Sequence, residues 1–146
     1  MKNINKVFFY FKKIKDCCDR EVAIIAKEIG ITKPEADVLI YLINNENQNK
    51  CCDIVDFRGF SKAYVSKAVK KLVNRKYISY IKDEKDKRYQ HIIINAKAKK
   101  TVETLHNNQK EIINKMFDGI SEEEFTNFKI VINKIANNLE RKWNYV

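Results

Sequence analysis

Between Ser61 and Asn95 the chain reads SKAYVSKAVKKLVNRKYISYIKDEKDKRYQHIIIN, and no other stretch narrows the possible folds as much. Val65, Val69 and Leu72, with Ala68 beside them, recur at the three- and four-residue spacing that lines one helical face. Lys62, Tyr64, Ser66, Lys67, Lys70 and Lys71 fall mainly off that stripe and are expected to face solvent or a ligand. Ser61 is a good N-cap, because its hydroxyl can accept a hydrogen bond from an unpaired amide of the first turn, so the helix is expected from about Lys62. Beyond it, Tyr77 to Ile81 and Tyr89 to Ile94 are rich in tyrosine and isoleucine, which favour strand. Asp83 to Arg88 between them is too polar to bury, which makes an antiparallel hairpin with an exposed tip, a β-wing.

The charge on this stretch is segregated. From Phe57 to Lys82 there are eight basic residues (Arg58, Lys62, Lys67, Lys70, Lys71, Arg75, Lys76 and Lys82) and no acidic one. Residues 57–102 carry 14 basic and 3 acidic side chains, a net of +11, so the rest of a +10 chain nets −1. A solvated lysine-rich face is the ordinary reading of a charge run. Concentration of the whole excess on one helix, one hairpin and the segment after it is instead the electrostatic footprint of a polyanion-binding surface.

With 146 residues the chain is long enough for one domain with a real core. Three glycines and one proline leave little room for long loops or sandwich-type turns, so a mainly α fold with a small β-wing is expected. No Gly-rich phosphate loop, H-E-x-x-H, G-x-S-x-G or spaced carboxylate constellation is present, which argues against an enzyme. Val7 to Phe11 is too short an apolar run for a signal core or a membrane span, and four cysteines without an export signal suit a reducing cytoplasm.

Apolar residues at Ile4, Val7, Phe8, Phe11, Ile14, Cys18, Val22, Ile25 and Ile29 predict one long amphipathic helix, open to a break near Asp16 to Asp19, with Gly30 as its stop. Thr32-Lys33-Pro34-Glu35 fits a capping box for a helix bearing Ala36, Val38, Leu39, Leu42 and Ile43. A short helix from about Cys51 to Phe57 closes at Gly59 and leads to the helix at Ser61, the pattern of a winged helix-turn-helix. Asn95 is placed to cap a long helix through Val102, Leu105, Ile112, Met116 and Phe117. Ser121-Glu122-Glu123-Glu124, with Ile120 and Phe125 as a staple, starts a last helix carrying Phe125, Phe128, Val131, Ile132, Ile135, Leu139 and Trp143. The apolar stripes of the first and last helices outrun what one small domain must cover.

In this order of elements, Val65-Ser66-Lys67 with Leu72, the wing motif Asp86-Lys87-Arg88 and Asn95 after it, the chain resembles the MarR family of bacterial transcription regulators. Lys76-Tyr77 stands where that family usually has Gly-Leu, and Arg58 where a leucine often precedes the glycine of the turn; these departures, and Val65 to Lys70, are also similar to the related Sar-type regulators. The resemblance implies a single domain over 1–146, with dimerisation helices at 1–30 and 121–146, a winged helix-turn-helix over 33–95 (recognition helix 62–75, wing 77–95) and a connecting helix over 96–118. It implies a cytoplasmic homodimer, most simply a repressor, with two recognition helices in successive major grooves of double-stranded DNA at a pseudo-palindromic site. Base-edge contacts are expected from Lys62, Ala63, Tyr64, Ser66 and Lys67, and phosphate contacts from Lys70 and Lys71. At the wing, Arg88 is expected in the minor groove, oriented by Asp86, with Lys85 and Lys87 on phosphates.

Cys17, Cys18, Cys51 and Cys52 raise the alternative of a thiol-sensing regulator of the same fold, with small buried hydrophobe as the default for each. Neither adjacent pair has zinc spacing, so no metal or other cofactor is expected, and His91 and His106 read as surface or packing residues. Many MarR-like proteins take an aromatic or anionic effector, for which Tyr10, Phe11, Ile14 and Tyr41 are the candidate pocket residues. Two other readings compete: a nucleoid-type protein that coats DNA through the same lysines, and a winged helix that binds another protein.

Overall fold

In the computed structural model, which describes residues 3–143 apart from the side chains of Arg58, Lys142 and Trp143, the first helix, α1 (Ile4–Glu28), is unbroken. The expected place of Trp143 on the last apolar stripe thus lies outside the described residues. Through the polar Asp16–Asp19 segment, pairs four residues apart run along the helix surface, Lys12 with Asp16 at 3.5 Å and Lys15 with Asp19 at 2.8 Å. α1 ends in a Schellman motif: Ile31 N–H donates to Ala26 at 2.9 Å and Gly30, at φ 73°, donates to Lys27 at 3.2 Å.

Six further regular elements follow in the order α2 (Lys33–Asn44), α3 (Cys51–Arg58), α4 (Lys62–Asn74), β1 (Ile78–Lys82), β2 (Gln90–Ile94) and α5 (Lys99–Met116), with a 3₁₀ turn at Ala96–Ala98; α6 (Glu122–Trp143) is the last. The chain divides into two compact units, Met1–Ile112 and Ile113–Val146. No helix among the described residues is long and apolar enough to cross a membrane.

In the first unit α2 lies at the middle of the core. Every residue from Glu35 to Leu42 is buried. The cluster that includes it draws Val22 and Ala26 from α1, Ile54 from α3, Val65, Ala68, Val69 and Leu72 from α4, Ile78 and Ile92 from the strands, and Leu105 from α5. Thr32 and Glu35 form the reciprocal capping box that starts α2, with Thr32 N–H donating to Glu35 Oε2 at 2.8 Å.

α4 ends as α1 does, but on a lysine. Tyr77 N–H donates to Leu72 at 3.0 Å and Lys76 N–H to Val73 at 2.8 Å, with Lys76 at φ 60°, where glycine is the unstrained residue. Asn95 closes this corner rather than capping a helix with its side chain. Its amide nitrogen donates to the Lys76 carbonyl at 3.1 Å and its oxygen accepts from the Ser79 hydroxyl at 3.0 Å, while the chain takes a 3₁₀ turn before α5 starts at Lys99. β1 and β2 pair antiparallel, Ile78 opposite Ile94 and Lys82 opposite Gln90.

The second unit is built around α6. Ser121 and Glu124 cap it reciprocally, at 2.8 and 3.2 Å, and the Phe125 ring meets Phe117 edge-on at 4.8 Å between centroids. Phe125, Phe128, Val131, Ile135 and Leu139 still expose 36–52% of their surface, and Ile4, Val7, Phe8, Phe11 and Ile14 of α1 expose 39–62%. Each unit thus carries an uncovered apolar stripe.

Candidate nucleic-acid interface

α4 presents its two faces as its spacing requires. Ser61 Oγ accepts from Tyr64 N–H at 3.1 Å and fixes the start of the helix, Val65, Ala68, Val69 and Leu72 are buried, and Lys62, Ala63, Ser66, Lys67, Lys70 and Lys71 are exposed. The outward face is therefore cationic, with one small hydroxyl and one methyl among the lysines.

Tyr64 departs from the base-reading role expected of it. Its hydroxyl donates to the fully buried Asp37 carboxylate of α2 at 2.7 Å, and its ring lies 4.7 Å from Phe60. Arg75, part of the basic run, is also turned inward: its Nε donates to buried Glu35 at 2.7 Å. Burial alone would raise the Glu35 carboxyl, but the Thr32 amide and hydroxyl and the Arg75 guanidinium outweigh it and hold the carboxyl below its ordinary range. Two buried carboxylates of α2 thereby grip α4 near its first and last turns.

The wing tip is an internally bonded turn. Asp83 Oδ1 accepts from the amides of Lys85 and Asp86, both at 2.8 Å, and Tyr89 N–H donates back to the Asp86 carbonyl at 3.0 Å. Asp86 receives Arg88 in a fork, Nε to Oδ1 at 3.0 Å and Nη2 to Oδ2 at 2.7 Å, while 85% of the Arg88 side chain stays exposed. The Arg88 fork lowers the Asp86 carboxyl and raises the guanidinium in turn. Lys85 and Lys87 are exposed beside it, and Lys50 lies over the Tyr89 ring at 4.4 Å.

His91 is more than a surface residue. Its Nδ1 bonds the side-chain oxygen of Asn49 and its Nε2 meets Asp83 Oδ2 at 2.7 Å, while Ile92 N–H donates to the Asn49 carbonyl at 2.8 Å. The Asp86 amide, then His91, then the Lys85 amide drive the Asp83 carboxyl far below the carboxylate range. Asp83 was legible as a turn former, since aspartate accepts from amides two and three residues on. Nothing local marked Asn49 as the partner of a histidine 42 residues away.

The remaining candidates are not gathered into a site. Tyr41 is buried, with Phe57 edge-on at 5.4 Å, whereas Tyr10, Phe11 and Ile14 lie exposed on the first half of α1, so the four do not form one pocket. All four cysteines are free thiols; burial pushes Cys18 and Cys51 up, which keeps them protonated and poorly nucleophilic, while Cys17 and Cys52 are exposed. Among the described residues no group of three or more His, Cys, Asp or Glu could hold a metal.

Residues 21–116 match the family model of the transcriptional regulator SarA/Rot. The chain belongs to the SarA/Rot family of transcriptional regulators. The match spans α4 and the wing, and it makes this a family of regulators, not of enzymes. The transcriptional regulator SarA of Staphylococcus aureus is 32% identical over 103 residues, 64% of this chain and 83% of that protein. Among solved structures, S. aureus MepR in its DNA-binding conformation aligns at TM-score 0.79 and 22% identity over 91% of this chain and 98% of that one. A MarR protein from Peptoclostridium difficile gives 0.76 and 20% over 98% and 94%. A MarR family regulator from Listeria monocytogenes, complexed with a 26mer DNA, gives 0.77 and 20% over 99% and 94%. These likenesses show that this SarA/Rot chain has the MarR winged-helix fold.

Proposed function

We propose that this SarA/Rot regulator binds double-stranded DNA sequence-specifically as a homodimer and represses where its pseudo-palindromic operator overlaps a promoter, in the cytoplasm beside the chromosome. The observation that carries the reading is the acid-free outward face of α4, with Lys62, Ala63, Ser66, Lys67, Lys70 and Lys71 exposed on a helix whose other face is locked in the core. Lys62, Ala63, Ser66 and Lys67, in the first two turns, reach base edges, and Lys70 and Lys71 reach phosphates. Arg88, with Lys85 and Lys87, serves the wing, Arg88 entering the minor groove with Asp86 orienting it. The uncovered stripes of α1 and α6 supply apolar surface for a second copy. Two of the solved relatives in fold, MepR and the Listeria protein, were captured with DNA, which supports the same partner here.

The test is to incubate the purified protein with a random duplex library at near-physiological salt and sequence what is retained. A two-fold-symmetric motif is expected, with specific binding at least about 10³ tighter than non-specific. Salt-sensitive retention without a motif would transfer the same lysines to an architectural, sequence-blind role.

A further inference from the structure

A charged chain that touches no base or phosphate in the reading above runs from the interior of the first unit to its surface. Asp37 is fully buried, and its Oδ2 accepts both the Tyr64 hydroxyl of α4 and the Lys33 ammonium, each at 2.7 Å. The same Lys33 nitrogen lies 3.3 Å from Asp19 Oδ1 on α1, and Asp19 Oδ2 is held by Lys15 at 2.8 Å. A hydroxyl, a carboxylate, an ammonium and a second carboxylate thus run from the first turn of α4 through α2 to α1.

We propose that Tyr64 is a positioning residue that sets the rotation of α4 through Asp37, and that Lys33 and Asp19 make that setting depend on α1. The inference rests on the reading of α4 as the DNA-reading helix. The apolar stripe Val65–Leu72 decides which face of α4 turns inward, but apolar contact is non-directional and tolerates small rotations. A hydroxyl-to-carboxylate bond at 2.7 Å is directional and weakens steeply off axis. Tyr64 sits between Ala63 and Ser66 in the turns that meet bases, so a small rotation there displaces the reading side chains directly. Because Lys33 and Tyr64 share one oxygen of a buried carboxylate, withdrawal of the ammonium toward α1 changes the charge that holds the hydroxyl. α1 also carries the uncovered stripe Ile4 to Ile14, so whatever covers that stripe bears on the orientation of the recognition helix.

The experiment uses the full chain as wild type, Tyr64→Phe, Asp19→Asn and the double variant, each confirmed folded by far-UV circular dichroism. Tyr64→Phe keeps the ring on Phe60 and removes only the hydroxyl. Against the duplex selected from the library it is expected to weaken specific binding about tenfold, with non-specific binding at the same salt changed less than about twofold. Asp19→Asn, on a helix outside the basic face, is expected to weaken specific binding about threefold, and the double variant to match Tyr64→Phe alone within about twofold, the signature of coupled positions. Unchanged affinity for Tyr64→Phe, or effects that multiply in the double variant, would overturn the relay. A DNA-free readout stands beside these: amide exchange in the first turns of α4 is expected to quicken in Asp19→Asn, and unchanged exchange also overturns it. If wild type selects no sequence, the DNA reading falls by itself and the exchange result alone judges the relay. Asp19 is partly exposed, so this variant keeps the test decisive should Tyr64→Phe fold poorly.

Discussion

Arg75→Met isolates the grip at the far end of α4. Methionine keeps an unbranched stem over the same surface and removes the guanidinium from Glu35, whose two bonds from Thr32 remain. Breaking a fully buried ion pair costs about 3–5 kcal/mol, but 41% of the Arg75 side chain is exposed, so water screens the pair and we expect roughly 1.5–2 kcal/mol. With a urea slope of about 1–3 kcal/mol/M, the unfolding midpoint should fall by roughly 1 M at neutral pH. The pH dependence follows from the lowered Glu35 carboxyl. Its contribution is complete above the unfolded glutamate value of about 4.3 and is lost as pH falls through the lower folded value, because a protonated Glu35 offers Arg75 no charge. The gap between wild type and variant should therefore be widest near neutrality and close in acid. Urea unfolding followed by circular dichroism, at one fixed protein concentration, measures both. Equal midpoints at neutral pH, or a gap that does not narrow at all as the solution is acidified below about pH 4.3, would refute the assignment of Arg75 to a stabilising pair.

Arg88→Ala should leave thermal unfolding unchanged, since most of the side chain is exposed, and weaken binding to the selected duplex severalfold in a fluorescence anisotropy titration; unchanged affinity would remove the wing from the interface. Lys76→Gly relieves a positive φ and should stabilise the chain by about 1 kcal/mol, read as a higher urea midpoint, and a lower midpoint would mean that the lysine stem packs usefully.

Much of this architecture is local physics and could be read from the residues. The capping boxes at Thr32 and Ser121, the cap at Ser61, the stop at Gly30 and the split faces of α4 depend on neighbours within four positions. The parts that escaped depend on partners far along the chain. Tyr64 looked like a groove-facing side chain because nothing near it announces Asp37, 27 residues away, and Arg75 looked like one more surface cation although Glu35 lies 40 residues upstream. Asn95 has the right identity for a helix cap, yet the carbonyl of Lys76, a positive-φ residue 19 positions back, takes its amide. The long α1 stays whole through Asp16–Asp19, the place open to a break, for a local reason: its acidic residues pair with lysines one turn earlier.

The fork between Asp86 and Arg88 acts differently at long and short range. Seen from beyond a Debye length the two charges cancel, so this pair does little to draw the wing toward a distant phosphate, and attraction falls to the exposed lysines beside it and on α4. At contact the balance changes. An arginine already held in one rotamer surrenders less freedom when it enters a groove than a free one, which loses up to about 2 kcal/mol of side-chain entropy. On the proposed DNA-binding reading, this pair would thus contribute after encounter, lengthening residence on a fitting sequence, while the rate of arrival is left to the exposed lysines.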